Sequence, residues 1–487
     1  METEILIPSE QKPAANKKVF TLNEDQINAF GGRKTAEQVI QNLLAEIKPV
    51  NFREYLQLPD NIKTAQKHYV VGVVKRLQEI AKENRWNLAK VYDYVYIFNG
   101  CYWLQLEKDE LKSMLGEAAM AMDIPLYDAR HFDFKDKLLK QFMTDGHLSP
   151  PKNNPDAILI NLTNGTFEFS ATGGKLRDFD PIDFITNQLP FEYDPTAKCP
   201  MFEKFLNKVL PDVSCQSVLQ EYCGYIFSDL NLEKILMLTG TGSNGKSVFF
   251  NILCALVGAE NLLNYSLGMF EHEYNRAKLT NKLLNYSSEK GTEINPDTLK
   301  LLASREPMQA REPYGKSFTI FPKTRFILNS NETPKLTEQT EAYFRRYIII
   351  PFETKISDAE KDIDLAEKII AQELPGIFNW LLIGINRLHA QKKFTHSDKI
   401  DFAIEEYKKQ SDSVALFIDE KALIPSTTRK ETVAELYQAY KAFCSEDGYK
   451  AVSKNKFSTR LENKGFERAR LTGGSAAFFL ETDYSRE

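Results

Sequence analysis

Little in this chain ties it to a membrane, a disulfide framework or a metal centre. Its 487 residues hold six cysteines (Cys101, Cys199, Cys215, Cys223, Cys254 and Cys444) but no Cys-x-x-Cys pair. That spacing argues for reduced thiols in a cytoplasmic protein and against a zinc site. Six histidines are scattered too widely to suggest a metal cluster. No run approaches the roughly 18 consecutive apolar residues of a bilayer span, so no membrane partner is expected. The opening "METEILIPSEQKPAANKK" lacks a basic stretch followed by an apolar one, so no secretory signal is expected either. There is no basic excess: 62 Lys and Arg face 67 Asp and Glu, a net charge of −5. This does not advertise a nucleic-acid binder, yet a local basic surface can act against the total. No internal repeat is visible. Composition leaves a soluble globular chain with function open.

Several units can be read along that chain. Residues 1–32 read as a flexible tail that is polar and ends near Gly31 and Gly32. Residues 33–195 read as a mostly helical α+β accessory domain. It has helical periodicity in "AEQVIQNLLAEI" and "YVVGVVKRLQEIAKEN", and strand pairs turning at Asn99-Gly100 and Asn164-Gly165. Residues 196–234 form a helical linker or collar. From 235 to 395 short apolar strands alternate with helices, the pattern of a parallel α/β domain, and a helical pair breaks at Pro375. Residues 412–487 form a last unit that ends in a hairpin around Gly473-Gly474.

The densest chemistry lies in "LMLTGTGSNGKSVFFNIL", residues 236–253. Gly240, Thr241, Gly242, Ser243, Asn244, Gly245, Lys246 and Ser247 fit G-x-x-x-x-G-K-[ST], with Val248 opening the apolar helix that follows. Glycines let backbone N–H groups converge on phosphates, and the helix points its positive end at them. Lys246 would reach the β/γ-phosphates of ATP, and Ser247 would ligate Mg²⁺. A strand before and a helix after supply the context that a chance glycine-rich turn lacks.

Three later segments extend the site. "NKLLNYSSEK" ends an apolar strand at Ser288 and Glu289. A glutamate there is ordinarily a solvated side chain, but downstream of a phosphate loop it reads as the base for water, and as a second metal-side group. Ser288 stands where many ATPases carry aspartate, which leaves Mg²⁺ to Ser247, phosphates and water. "RFILNSNETP" ends a strand in Asn329-Ser330-Asn331, and Asn331 reads as a sensor of the γ-phosphate, against a plain Asn-rich turn. "YFRRYIIIPFE" sets Arg345 and Arg346 before another strand, as either a surface pair or a source of transition-state charge stabilisation.

These four features in this order resemble superfamily 3 helicases of the AAA+ class, in particular the poxvirus-type and phage/plasmid primase-helicase family. "SREPMQAREPYGKSFTIFPKTRFILNSNETP" and "RDFDPIDFITNQLPFEYDPTAKCPMFEKFL" resemble that family's helicase core and the end of its accessory domain. The resemblance covers about residues 90–480. It implies a multidomain α/β fold: an AAA+ P-loop core, an N-terminal mostly helical α+β domain and a C-terminal winged helix. It also implies ATP binding at Gly245, Lys246 and Ser247, hydrolysis through Glu289 and sensing through Asn331. A finger acting on the neighbouring subunit follows, with Arg346 the first choice and Arg345 the second. The family works as a ring, usually a hexamer, around one DNA strand.

Within that frame "AREPYGKSF" suits a pore hairpin, with Arg311 and Lys316 on DNA phosphates and Tyr314 stacked on a base, although Glu312 and Pro313 dilute its charge. An ordinary exposed hairpin is the plain alternative. In "SKNKFSTRLENKGF", Phe457 and Leu461 give a buried face and Lys454, Lys456 and Arg460 a basic one, as in a winged helix that enters a DNA groove. A solvated basic helix that only packs is the alternative there. Asp pairs in "DARHFDFKD" and "RDFDPIDF" do not suffice for a primase, which points to a separate primase or polymerase partner. The reading is therefore an ATP-dependent ring helicase for a phage, plasmid or mobile element, acting on single-stranded or forked DNA. Its rivals are an origin-melting initiator or loader, a small-molecule kinase and a non-catalytic DNA-binding scaffold.

Overall fold

The computed structural model describes residues 34–91, 94–146, 157–170, 173–288, 295–313, 315–331, 340–471 and 473–483. The expected tail, together with Glu289 and Tyr314, lies outside them.

The chain first builds helices α1 (Ala36–Ala45), α2 (Phe52–Tyr55) and α3 (Gln66–Glu83). Thr35 opens α1 with a reciprocal capping box to Gln38, which satisfies backbone donors that the first turn would leave bare. Strands β1 (Leu88–Val91), β2 (Tyr94–Phe98) and β3 (Trp103–Leu106) then form an antiparallel sheet in chain order. Between β2 and β3 the Asn99 side chain accepts from the N–H groups of Cys101 and Tyr102, and Gly100 takes φ +94°. Helices α4 (Lys108–Ala121), α5 (Leu126–Arg130) and α6 (Phe132–Asp145) complete this unit. One apolar cluster joins them, including Leu43, Val73, Leu77, Leu115 and Leu138.

A second antiparallel sheet follows: β4 (Ala157–Leu162), β5 (Gly165–Ser170) and β6 (Gly173–Arg177). The pairing of Leu162 with Gly165 centres the turn on Thr163-Asn164, one residue before the expected position. Helices α7 (Pro200–Val209) and α8 (Val213–Tyr225) lead into the central sheet.

That sheet holds β7 (Ile235–Thr239), β8 (Leu262–Leu263) and β9 (Leu284–Ser288), with α9 (Lys246–Val257), α10 (Glu273–Ala277) and α11 (Pro296–Ser304) on the connections. The hairpin β10 (Met308–Arg311) and β11 (Ser317–Ile320) interrupts it before β12 (Arg325–Ser330). Helix α12 (Glu341–Phe344) and β13 (Tyr347–Pro351) close it. The spatial order is β13-β7-β12-β9-β8, and every neighbouring pair is parallel. Continuous apolar strands such as Ile235–Leu238 and Ile348–Ile350 are buried, as a sheet covered on both faces requires.

Apolar packing does not stop at residue 195. Ile158, Phe167, Phe202, Leu219, Leu238 and Ile400 share one apolar cluster, so the second sheet, the collar and the parallel sheet form one body. Nor does Pro375 divide two helices: α13 (Leu365–Gln391) runs through it. Tertiary packing overrides the local cost of proline. Ile369, Ile377, Leu381, Ile385 and Leu388 on α13 are buried in the core, and Gly376 and Gly384 lie against the backbone of Lys198 and Gln220.

Helix α14 (Asp398–Ser411) leads to the last unit: α15 (Ser413–Glu420), β14 (Leu423–Thr432), α16 (Val433–Glu446), α17 (Lys454–Asn463), β15 (Glu467–Arg470) and β16 (Ala476–Thr482). Its sheet order is β14-β16-β15, and β15 and β16 are the expected hairpin. Phe417, Tyr440, Phe457, Leu461 and Phe478 form its separate core. Among the described residues no helix is long and apolar enough to cross a membrane.

Candidate functional site

The loop between β7 and α9 is shaped by its backbone. Gly240 has φ +153°, and a Cβ there would sit 2.1 Å from the Asn244 side-chain amide and 2.3 Å from the Phe352 carbonyl. Gly245 has φ +83°, and a Cβ on it would meet Val209 and Phe205 of α7 at 2.7 and 2.9 Å. Only glycine fits either place. Asn244 donates to the Phe352 carbonyl at 2.9 Å, and the Ile356 N–H donates to the Ser243 carbonyl at 2.8 Å. The segment that follows β13 thus pins the loop from outside.

Lys246 is the first residue of α9 and is only 3% exposed. Its ammonium donates to the Gly240 carbonyl at 2.6 Å and to Asn244 Oδ1 at 3.1 Å. Burial lowers its pKa, and both of these hydrogen-bond partners are neutral. No side chain caps α9, so its first N–H groups are directed into the loop. A buried lysine, bare helix donors and a glycine-wrapped backbone fit a phosphate chain. Ser247 is exposed at the next position, and Val248 is half-buried against the core. Among the described residues no cluster of three or more His, Cys, Asp or Glu offers a metal cage. The Ser247 hydroxyl is a group here that could hold a divalent ion; Glu289, the other residue expected beside the metal, lies outside the described residues.

The parallel sheet gathers further residues to the same edge. Asn329 of β12 is in register with Leu238 of β7 and Ser288 of β9, so all three strands end together. Ser288 is exposed at the end of β9, and Asn331 is exposed immediately after β12. This is the carboxyl end of the strands, where open α/β sheets bind ligands.

The arginines lie at the opposite edge. Arg345 and Arg346 precede β13, which runs parallel to β7, and the Ile235 N–H donates to the Arg346 carbonyl at 2.7 Å. Five residues of strand, about 3.3 Å each, separate that edge from the phosphate loop. The two arginines differ in exposure. The Arg346 side chain is 8% exposed and bonded to the Ala342 carbonyl, whereas Arg345 is 61% exposed. Arg345 is the one that faces outward. Sequence reasoning missed their shared partner: Glu233 Oε2 lies 3.2 Å from Arg345 Nη2 and 3.3 Å from Arg346 Nη2. A Glu-Lys pair before an apolar strand carries no signal for that role.

In the hairpin, Arg311 Nε donates to the Gly315 carbonyl at 2.9 Å, which folds its head onto the tip, while Lys316 is exposed. Glu312 is paired with Lys278 at 3.4 Å, which offsets the acidic residue noted at the tip. The Tyr94 ring of the first sheet stands edge-on to Phe318 of β11. In the last unit Lys454 and Lys456 are exposed on α17 and Arg460 is half-buried, with Phe457 and Leu461 fully buried beneath. Lys464 is tied to Asp412 at 2.9 Å and Arg468 to Glu462.

Three families match in succession. One described as D5 N terminal like covers residues 74–211, a family of unknown function (DUF5906) covers 238–346, and one described as Poxvirus D5 protein-like covers 409–474. A putative helicase 121R of Invertebrate iridescent virus 3 is 24% identical over 55% of this chain and 32% of its own length. A putative helicase L207/L206 of Acanthamoeba polyphaga mimivirus is 27% identical over 58% of this chain and 32% of its own. The match thus spans about a third of those relatives' length. Among solved structures, an apo form of the NrS-1 C-terminal region gives a TM-score of 0.46 at 12% identity, covering 82% of this chain and 97% of that one.

Proposed function

From the premise that the chain belongs to the poxvirus D5-type primase-helicase family, we propose that it is an ATP-dependent DNA helicase with an AAA+ superfamily 3 core that works as a ring. The observation that carries this reading is the division of labour across the parallel sheet. The phosphate loop, Ser288 and Asn331 share one edge, and Arg345 and Arg346 occupy the other. An arginine on the far edge cannot serve its own subunit's loop. It can serve a neighbour's, and a closed ring gives every subunit such a neighbour.

In this reading Gly240 to Ser247 hold the phosphates of ATP, Lys246 lies on the β/γ-phosphates, and Mg²⁺ at Ser247 supplies neutralising charge to the phosphoryl oxygens. Glu289 takes the proton of water, Asn331 senses the γ-phosphate, and Arg345 offers charge to the adjacent subunit. Lys316, Arg311 and Tyr314 on the hairpin contact single-stranded DNA. The last unit reads as a winged helix: the order α15-β14-α16-α17-β15-β16 places the basic helix α17 before a two-stranded wing. A hexamer, a forked DNA substrate and a separate priming partner complete the proposal.

The test is ATP hydrolysis with and without single-stranded DNA, for the wild type and Glu289→Gln. DNA stimulation that Glu289→Gln loses while retaining nucleotide binding supports the motor. Hydrolysis indifferent to DNA removes it, and an active Glu289→Gln moves the base elsewhere.

A further inference from the structure

Glu233 stands two residues before the strand that feeds the phosphate loop and has φ +53°, a left-handed backbone uncommon outside glycine. That turn brings one carboxylate oxygen within 3.3 Å of both guanidinium groups. The next two residues hold the same segment by its backbone: Lys234 donates to the Arg345 carbonyl and Ile235 to the Arg346 carbonyl. Three consecutive residues thus grip two consecutive arginines. The arginines are unequal, since Arg346 is buried and Arg345 is open to solvent.

Resting on the reading above, we infer that Glu233 is a positioning residue for Arg345. Adjacent guanidinium groups repel one another, and a free arginine samples many rotamers. A carboxylate anchored by the buried Arg346 counters the repulsion and restricts Arg345 to one outward direction. An exposed pair of this kind is weak, so Arg345 is aimed without being withheld from a neighbouring subunit's phosphate. Glu233 itself touches no reacting atom.

The test is a subunit-mixing experiment on the full chain. Glu233→Ala is expected to lower kcat about fivefold, as much as the loss of a weak exposed ion pair accounts for, with nucleotide affinity and assembly mass unchanged. Mixing it with Lys246→Ala, whose arginines are intact but whose loop is disabled, is expected to restore turnover in mixed assemblies. A defect of folding alone would not be rescued by an inactive partner. Wild-type turnover in Glu233→Ala overturns the inference, as does failure of that mixture while Arg345→Ala with Lys246→Ala recovers. Failure of the Arg345→Ala mixture as well overturns the action across subunits, and the inference with it. Should Glu233→Ala not fold, Glu233→Gln, which keeps the shape and loses the charge, is put through the same mixing and decides by the same outcomes.

Discussion

The two edges of the central sheet handle charge in opposite ways. At the carboxyl edge the backbone does the shaping, through positive φ at Gly240, Gly242, Ser243 and Gly245, and the buried cation Lys246 leans on a carbonyl and an amide oxygen. At the amino edge the side chains do it. Arg346 is buried against Glu233, and Arg325, the first residue of β12, is buried with its guanidinium 3.5 Å from the centre of the Tyr225 ring. Arg325 donates to the carbonyls of Tyr225, Ser228 and Leu230, which fixes the chain that enters β7. A cation held by neutral oxygens at a glycine loop is poised to accept an anion. A cation stacked on a ring and spanning three carbonyls is committed to structure.

The sharpest way to break this comparison is to remove the adjacent arginines one at a time. Arg345→Ala is expected to lower turnover about a thousandfold, the low end of what a trans arginine contributes, and to leave thermal unfolding nearly unchanged because the side chain is exposed. Arg346→Ala is expected to cost about 1–3 kcal/mol of stability, since it strands the Ala342 carbonyl and removes the buried one of Glu233's two partners. Hydrolysis rates beside unfolding curves separate the two. Equal effects of both changes on both measurements would erase the distinction.

Arg325 gives the next largest effect. Burial pushes its guanidinium down to about 10, still charged at neutral pH. Arg325→Met keeps much of the volume but leaves three carbonyls without this donor, and about 3 kcal/mol of stability should be lost. Denaturant unfolding checks it: a fall in midpoint at constant slope is expected. Nucleotide binding at the far edge should persist in the folded fraction.

The carboxyl edge was readable from residues alone because its chemistry is local. Glycines, Lys246 and Ser247 fall within eight residues, and strand and helix patterns flank them. The amino edge was not. Glu233 and Arg346 are 113 positions apart, and only strand order brings them together. Burial distinguishes Arg345 from Arg346, and burial depends on how α12 packs. The continuity of α13 through Pro375 was hidden for the same reason, since long-range packing outweighed a local helix breaker. So was the packing of the second sheet with the main body, where Leu189 and Phe191, ahead of the boundary expected at 195, are buried in the shared core.

The smallest expected effect tests the amino edge by pH. His389 on α13 places Nε2 2.8 Å from the hydroxyl of Ser228, in the loop that Arg325 grips. That hydroxyl also accepts from the Leu230 N–H, so its own hydrogen is available to a neutral imidazole. Burial, and secondarily Lys392, lower the His389 pKa below 6.5, against a weaker opposing pull from Asp229. The unfolded chain then binds a proton that the folded chain refuses, so this residue reduces stability as pH falls below 6.5 towards its folded pKa. Above 6.5 both forms are neutral and the contribution is flat. Unfolding midpoints measured from pH 7.5 down to 5.5 should fall less steeply in His389→Gln than in the wild type. Parallel curves would mean that Ser228 accommodates the charged imidazole, and that the loop is held by Arg325 without help from His389.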